Sequence, residues 1–403
     1  MKINFIFQVL SFGMAFIINI YLLKTLNVED YGMYSLLNTI IMFGAMAFCL
    51  NIQEYLNIGL NKYKKYSVSQ NTFFNNINTL MILINIVIGI SLFLLSSFIS
   101  LLFNIPEKLI YLTILLIFMN IIFANYLRYD VANSNWISYN IFLFNKNYGW
   151  FVAFLLIGID IVDIFSYMLF ITIIFVLVYC LYFKKKYNFK SYFDFDFEVW
   201  NEGFIFGMRS LLSTFSFFII MNSDKIMISI FSGNREVGLY AFAIIPFSIV
   251  LQLFQNTILA VVNPKINRLF HKKKKIRFLI YKKLIYFILI TFSPIYIIFT
   301  LYSDFFILFI AKDEYLEVGS FFAYLSACFI LLAISSVLKQ EFILKKEFST
   351  LNKISLTSVL INIGFSYLSI KLFGYVGVVY STLIVYLIIN TYLYYRLKRE
   401  EIE

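Results

Sequence analysis

Twelve apolar runs of about 20 residues follow one another from Phe5 to Tyr395, and the segments between them are mostly short. A helix rises about 1.5 Å per residue, so a run of roughly 20 residues crosses the ~30 Å hydrocarbon core of a bilayer. Read from the sequence, the runs are 3–23, 31–54, 73–102, 108–127, 137–158, 163–183, 203–231, 238–262, 281–303, 317–338, 351–372 and 375–395. Backbone in lipid must satisfy its own hydrogen bonds, which leaves helices or closed barrels. A barrel would show alternating segments of about ten residues rather than solid apolar blocks. The chain is 61% hydrophobic and 14% charged, against about 45–50% and about 25% for soluble domains. The reading is an all-α membrane protein of about twelve transmembrane helices.

Charge orients these helices. Alternate loops hold 25 of the 33 basic residues, including Lys184–Lys186 and Lys272–Lys275, and the opposite loops hold five. Basic residues accumulate on the cytoplasmic side, so both termini are expected there. The net charge of +11 then reflects topology and anionic lipid, not nucleic acid.

A basic segment at 184–202 divides the runs into two sets of six. The expected organisation is an N-terminal six-helix bundle at 1–183, a cytoplasmic linker at 184–202 and a C-terminal six-helix bundle at 203–403. Asp30, Gly32 and Tyr34 match Glu236, Gly238 and Tyr240 at a constant offset of 206 residues. The two copies fall in corresponding outer loops, as a parallel internal repeat requires.

Ionisable groups inside spans are costly and face a cavity or a partner. Lys146 lies near the middle of run 137–158, with Phe142 and Trp150 one turn on either side. An aromatic ring beside a cation suits a sugar platform or a cation–π pair. In run 203–231, Arg209, Ser213, Ser216, Ser223 and Asp224 form one polar stripe at about 100° per residue. Lys225 falls off that stripe near the outer end, where it can snorkel. Ser248, Gln252, Gln255 and Asn256 share an arc of the next run, and Gln8, Ser11 and Asn19 one side of the first. Interhelical bonding competes with substrate contact as their role. Gly203 and Gly207 form a GxxxG spacing suited to close helix packing, and Pro246 and Pro294 are expected to kink their helices.

Enzymatic readings find little support. Cys49, Cys180 and Cys328 sit in apolar runs and suit neither a zinc site nor a disulfide framework. The single histidine, His271, lies in a basic loop, so no Ser/His/Asp set forms. No phosphate-binding G-x-x-x-x-G-K-[ST] motif is present, and the outer loops are short. The chain reads as a transporter, needing no cofactor and no metal.

Residues 22–36 (LeuLeuLysThrLeuAsnValGluAspTyrGlyMetTyrSerLeu), 222–228 with 237–243, and 374–382 (GlyTyrValGlyValValTyrSerThr) resemble the polysaccharide and O-antigen flippases of the multidrug/oligosaccharidyl-lipid/polysaccharide exporter superfamily. The resemblance implies a V-shaped pair of six-helix bundles around a cationic cavity, working by alternating access. It implies undecaprenyl-diphosphate-linked oligosaccharide, of O-antigen or capsule type, as cargo. By position, the family's basic residues match Lys24 and Arg209 or Lys225, and its acidic-basic pair matches Asp224-Lys225.

The expected function is flipping of that lipid-linked oligosaccharide from the inner to the outer leaflet. The candidate cavity residues are Lys146, Arg209, Asp224, Lys225, Lys24, Asn19, Gln252, Gln255, Asn256 and Trp150. Membrane lipids and a glycan polymerase are the expected partners. The alternatives are a cation-coupled multidrug antiporter of the same superfamily, which would favour intramembrane acids, and an integral-membrane glycan polymerase or ligase, which would need larger outer loops.

Overall fold

A computed structural model of the chain describes residues 2–63, 67–157, 160–187, 195–259, 262, 274–345 and 347–402. The described residues form fifteen α-helices and no strand. They are α1 (Lys2–Thr25), α2 (Val28–Ala47), α3 (Ile52–Lys62), α4 (Ser67–Leu94), α5 (Ser96–Phe103), α6 (Glu107–Ala132), α7 (Trp136–Ile157) and α8 (Ile161–Tyr187). There follow α9 (Phe197–Phe231), α10 (Asn234–Leu253), α11 (Lys274–Leu301), α12 (Ser303–Ile310), α13 (Phe322–Leu344), α14 (Phe348–Phe373) and α15 (Gly377–Ile402).

Twelve of these have 20 or more residues, one for each apolar run. The short helices α3, α5 and α12 arise where a run breaks or overshoots its span. Leu50 and Asn51 take positive φ values of 46° and 57°, which ends the α2 segment and starts α3. Asn104, at φ 50°, stops α5, and Pro106 leads into α6. Seven stretches of the described residues are both long and apolar enough to cross a membrane, the last of them running through α14 and α15. Side chains such as Leu101, Leu94 and Leu181 stand exposed on the helices, as lipid-facing positions do.

The termini of α2 show local sequence at work. The Asn27 side chain accepts from the Asp30 N–H at 2.7 Å, and Glu29 and Asp30 occupy the first turn, where the helix dipole favours negative charge. The internal repeat extends to whole elements. Helices α2 and α10 both have 20 residues and start 206 apart, at Val28 and Asn234. Helices α5 and α12 both have 8 residues and start 207 apart, at Ser96 and Ser303. Helix α10 contains Pro246 and runs into a π-helical turn at Phe254–Leu259, a feature the apolar pattern does not foretell.

The chain divides into two compact units, Met1–Phe215 and Ser216–Glu403, the boundary falling within α9. In the first, α6 is central, packing on α2, α3, α4, α7 and α8. Its core is aromatic: the Phe74 and Phe183 rings pack on each other and on both Tyr126 and Tyr129, with centroids 4.8–5.6 Å apart. In the second, α15 packs on α13 and α14 around Leu338, Phe342, Val385, Ile389 and Leu393.

The GxxxG glycines act in packing. A Cβ on Gly207 would stand 2.5 Å from the Leu50 carbonyl oxygen and 2.7 Å from Ile52 Cγ1, and one on Gly203 would stand 3.0 Å from Ile77 Cδ1. Gly207→Val is therefore expected to lower stability by about 1–3 kcal/mol, read as a fall in the melting temperature of the detergent-solubilised protein. Gly203→Ala is expected to cost less. An unchanged melting temperature for Gly207→Val would contradict this packing.

Candidate functional site

Helices α1, α2, α6, α7 and α8 line an open cavity of about 520 Å³ in the first unit. That volume lies in the range of small-molecule sites, about 300–1,000 Å³. Asn19, Lys146 and Trp150, three of the residues singled out from the sequence, line it together. Asn38, Asn120, Asn147, Tyr34 and Phe123 line it as well. Lys146 is the one cationic side chain among the described lining residues, and no Asp or Glu is among them.

The lysine's aromatic partner comes from another helix. Its Nζ lies 5.9 Å from the centroid of the Phe123 ring on α6. Phe142, one turn before Lys146, instead packs on Tyr179 and Tyr182 at 4.4 and 5.5 Å. Period alone places Phe142 beside Lys146 along α7, but the two differ by four residues and lean towards different neighbours. Trp150 is buried, packs on Tyr34 at 6.5 Å, and donates its Nε1–H to the Asn147 carbonyl at 2.8 Å.

The cavity amides are partly tethered. Asn19 donates to the Ala15 carbonyl at 2.7 Å and accepts from the Tyr31 hydroxyl at 3.0 Å. Asn120 donates to the Leu116 carbonyl at 2.7 Å. An amide oxygen has two lone pairs, so Asn120, and Asn19 beside its bond from Tyr31, can still accept from a hydroxyl group. Chemically, the cavity offers one cation, several amides and aromatic faces.

The other candidates lie elsewhere. Lys24 is exposed at the end of α1, Arg209 is exposed on α9, and Lys225 is half-buried. Gln252 is exposed on α10 and Gln255 half-buried in the π-helical turn. The side chains of Asn256, Gln8, Ser213 and Ser216, and all of His271, lie outside what is described.

Asp224 belongs to a buried polar cluster in the second unit. Its carboxyl accepts from the Tyr240 hydroxyl at 2.6 Å and the Thr382 hydroxyl at 3.2 Å. Beside it Asn362 donates to Ser223 Oγ at 3.3 Å, and Ser366 and Ser381 bond at 2.7 Å. These contacts tie α9, α10, α14 and α15 together.

Two buried carboxyls were not foreseen. Asp130, fully buried near the end of α6, accepts from Ser138 Oγ at 2.8 Å, Asn135 Nδ2 at 2.8 Å, Tyr187 Oη at 2.5 Å and Tyr179 Oη. Glu341, buried in α13, accepts from Tyr281 Oη at 3.0 Å and pairs with Lys345 at 3.3 Å. Run 108–127 ends before Asp130, so the sequence reads that residue as a loop position. The tyrosines at 179 and 187 and the polar pair at 135 and 138 are the signal that could have found it.

A sequence model described as polysaccharide biosynthesis protein matches residues 2–270. The chain belongs to this family. No curated protein sequence matches it. Among solved structures, lipid II flippase MurJ in an inward closed conformation aligns over 99% of this chain and 88% of that one, with a TM-score of 0.75 and 16% identity. An inward-facing multidrug resistance MATE family transporter of the MOP superfamily aligns over 96% and 94%, with a TM-score of 0.72 and 14% identity. At these identities the likeness concerns the fold. The chain is thus a multi-pass membrane protein of the polysaccharide biosynthesis family with the twelve-helix fold of the MOP superfamily.

Proposed function

We propose that this protein is a flippase for undecaprenyl-diphosphate-linked oligosaccharide, of O-antigen or capsule type, moving it from the inner to the outer leaflet by alternating access. Both termini lie in the cytoplasm of a bacterium, and two six-helix bundles, 1–183 and 203–403, flank the linker 184–202. The observation that carries this reading is the 520 Å³ cavity with Lys146 over Phe123 and an amide-rich, aromatic wall. A cation in a low-dielectric site attracts an anionic group strongly, amides pair with sugar hydroxyls, and partly exposed rings such as Tyr34 and Tyr148 stack on sugar faces. Cargo of this kind carries its charge on the diphosphate or on acidic sugars. Family membership supports a role in polysaccharide assembly.

Removing the protein from its host tests the direction. The expected result is accumulation of lipid-linked repeat units in the inner leaflet, shielded from hydrolases added outside. Single repeat units displayed on the outer leaflet would indicate a polymerase or ligase instead.

A further inference from the structure

We infer that Asp130 is a positioning residue for Lys146, acting from the junction of α6, α7 and α8; this rests on the reading of the cavity given above. Two routes lead from its carboxyl to the lysine. The first runs along α7. Asp130 takes hydrogen bonds from Asn135 Nδ2 and Ser138 Oγ, both at 2.8 Å, and its carbonyl accepts from the Asn135 N–H at 2.8 Å. These contacts fix the first turn of α7, in rotation and height, eight residues before Lys146. Over eight residues a helix advances only about 12 Å, so a shift of that turn carries directly to the lysine.

The second route runs through aromatic rings. Asp130 holds the hydroxyl of Tyr179 on α8. The Tyr179 ring packs on Phe142 at 4.4 Å and on Phe123 at 5.4 Å. Phe123 is the ring beneath the Lys146 ammonium, and Phe142 precedes Lys146 by one turn. One buried carboxyl therefore sets both the helix that carries the cation and the ring on which it rests. The tight packing of protein interiors transmits such displacements instead of absorbing them. Lys186, whose Nζ is 4.0 Å from Asp130, and Tyr187 close the cluster on its remaining side.

A double-mutant cycle on the full-length protein in liposomes tests this, with undecaprenyl-diphosphate-linked sugar as the probe. Asp130→Asn keeps the shape but replaces one acceptor oxygen with a donor. It is expected to slow flipping about 5- to 10-fold, whereas in a Lys146→Gln background it is expected to change the rate less than about 2-fold. Asp130→Glu is expected to restore part of the rate. Ser138→Ala, which leaves the carboxylate in place, is expected to slow flipping in the same direction by less, and it carries the test if Asp130→Asn does not fold. Equal losses from Asp130→Asn or Ser138→Ala in both backgrounds would overturn the inference, because a merely structural role is independent of Lys146. Wild-type flipping by Lys146→Gln itself would overturn the reading of the cavity, and the inference with it. Wild-type flipping by Asp130→Asn and Ser138→Ala beside a slow Lys146→Gln would overturn the inference alone.

Discussion

Lys146→Ala is expected to reach the membrane at normal levels and to export glycan about 10- to 100-fold more slowly than the unaltered protein, the loss of a charge-assisted contact worth ~1.5–3 kcal/mol. The lysine lines a cavity holding no other described cation, so no neighbour replaces it. Its ammonium contacts the Phe123 ring on α6, and its removal is expected to leave the fold intact. Lys146→Arg is expected to retain part of the activity. Its guanidinium keeps the charge but is planar and larger than an ammonium, and it must fit beside Phe123 and Trp150. Glycan at the cell surface, normalised to protein in the membrane, is the measurement. Equal export by Lys146→Ala and the unaltered protein would remove the cavity from the account.

In the second unit, Asp224→Ala is expected to destabilise the folded protein by about 2–3 kcal/mol, because it strands the buried Tyr240 hydroxyl and leaves the half-buried Thr382 hydroxyl without its acceptor. Tyr240→Phe removes one donor and is expected to cost only about 1 kcal/mol. The Asp224→Ala, Tyr240→Phe double variant is expected to be more stable than additivity requires, since the second change relieves a donor left by the first. Thermal unfolding in detergent reads all three. Strict additivity would mean that the hydrogen bond at 2.6 Å contributes nothing to holding α9 on α10.

Much of the fold is legible in the sequence because lipid imposes a simple rule. Each apolar run must become a helix, and each of the twelve runs has its long helix in the structure. The short helices are less visible, since α3 and α5 lie within or beside apolar runs and depend on backbone turns at Asn51 and Asn104. The cavity is partly legible. Lys146 and Trp150 share one helix, and a periodic pattern finds them. Phe123 and Asn120 come from α6, and no pattern within α7 announces them. Asp130 is hidden for a similar reason, because its five partners are spread over α7, α8 and the turn between α6 and α7. The stripe on α9 divides in the structure, with Arg209 exposed and Asp224 locked into the cluster with Tyr240. Helical period orders residues around one axis and says nothing of what stands opposite them.

Flipping by the purified protein in liposomes is the measurement that decides between a flippase and its alternatives. Liposomes would carry undecaprenyl-diphosphate-linked sugar in both leaflets, with a hydrolase added outside. The protein is expected to make nearly all of the lipid-linked sugar accessible, and Lys146→Ala is expected to reduce the rate sharply. Accessibility that stays at the outer-leaflet share with the unaltered protein, with and without an imposed ion gradient, would contradict a flippase and favour a multidrug antiporter.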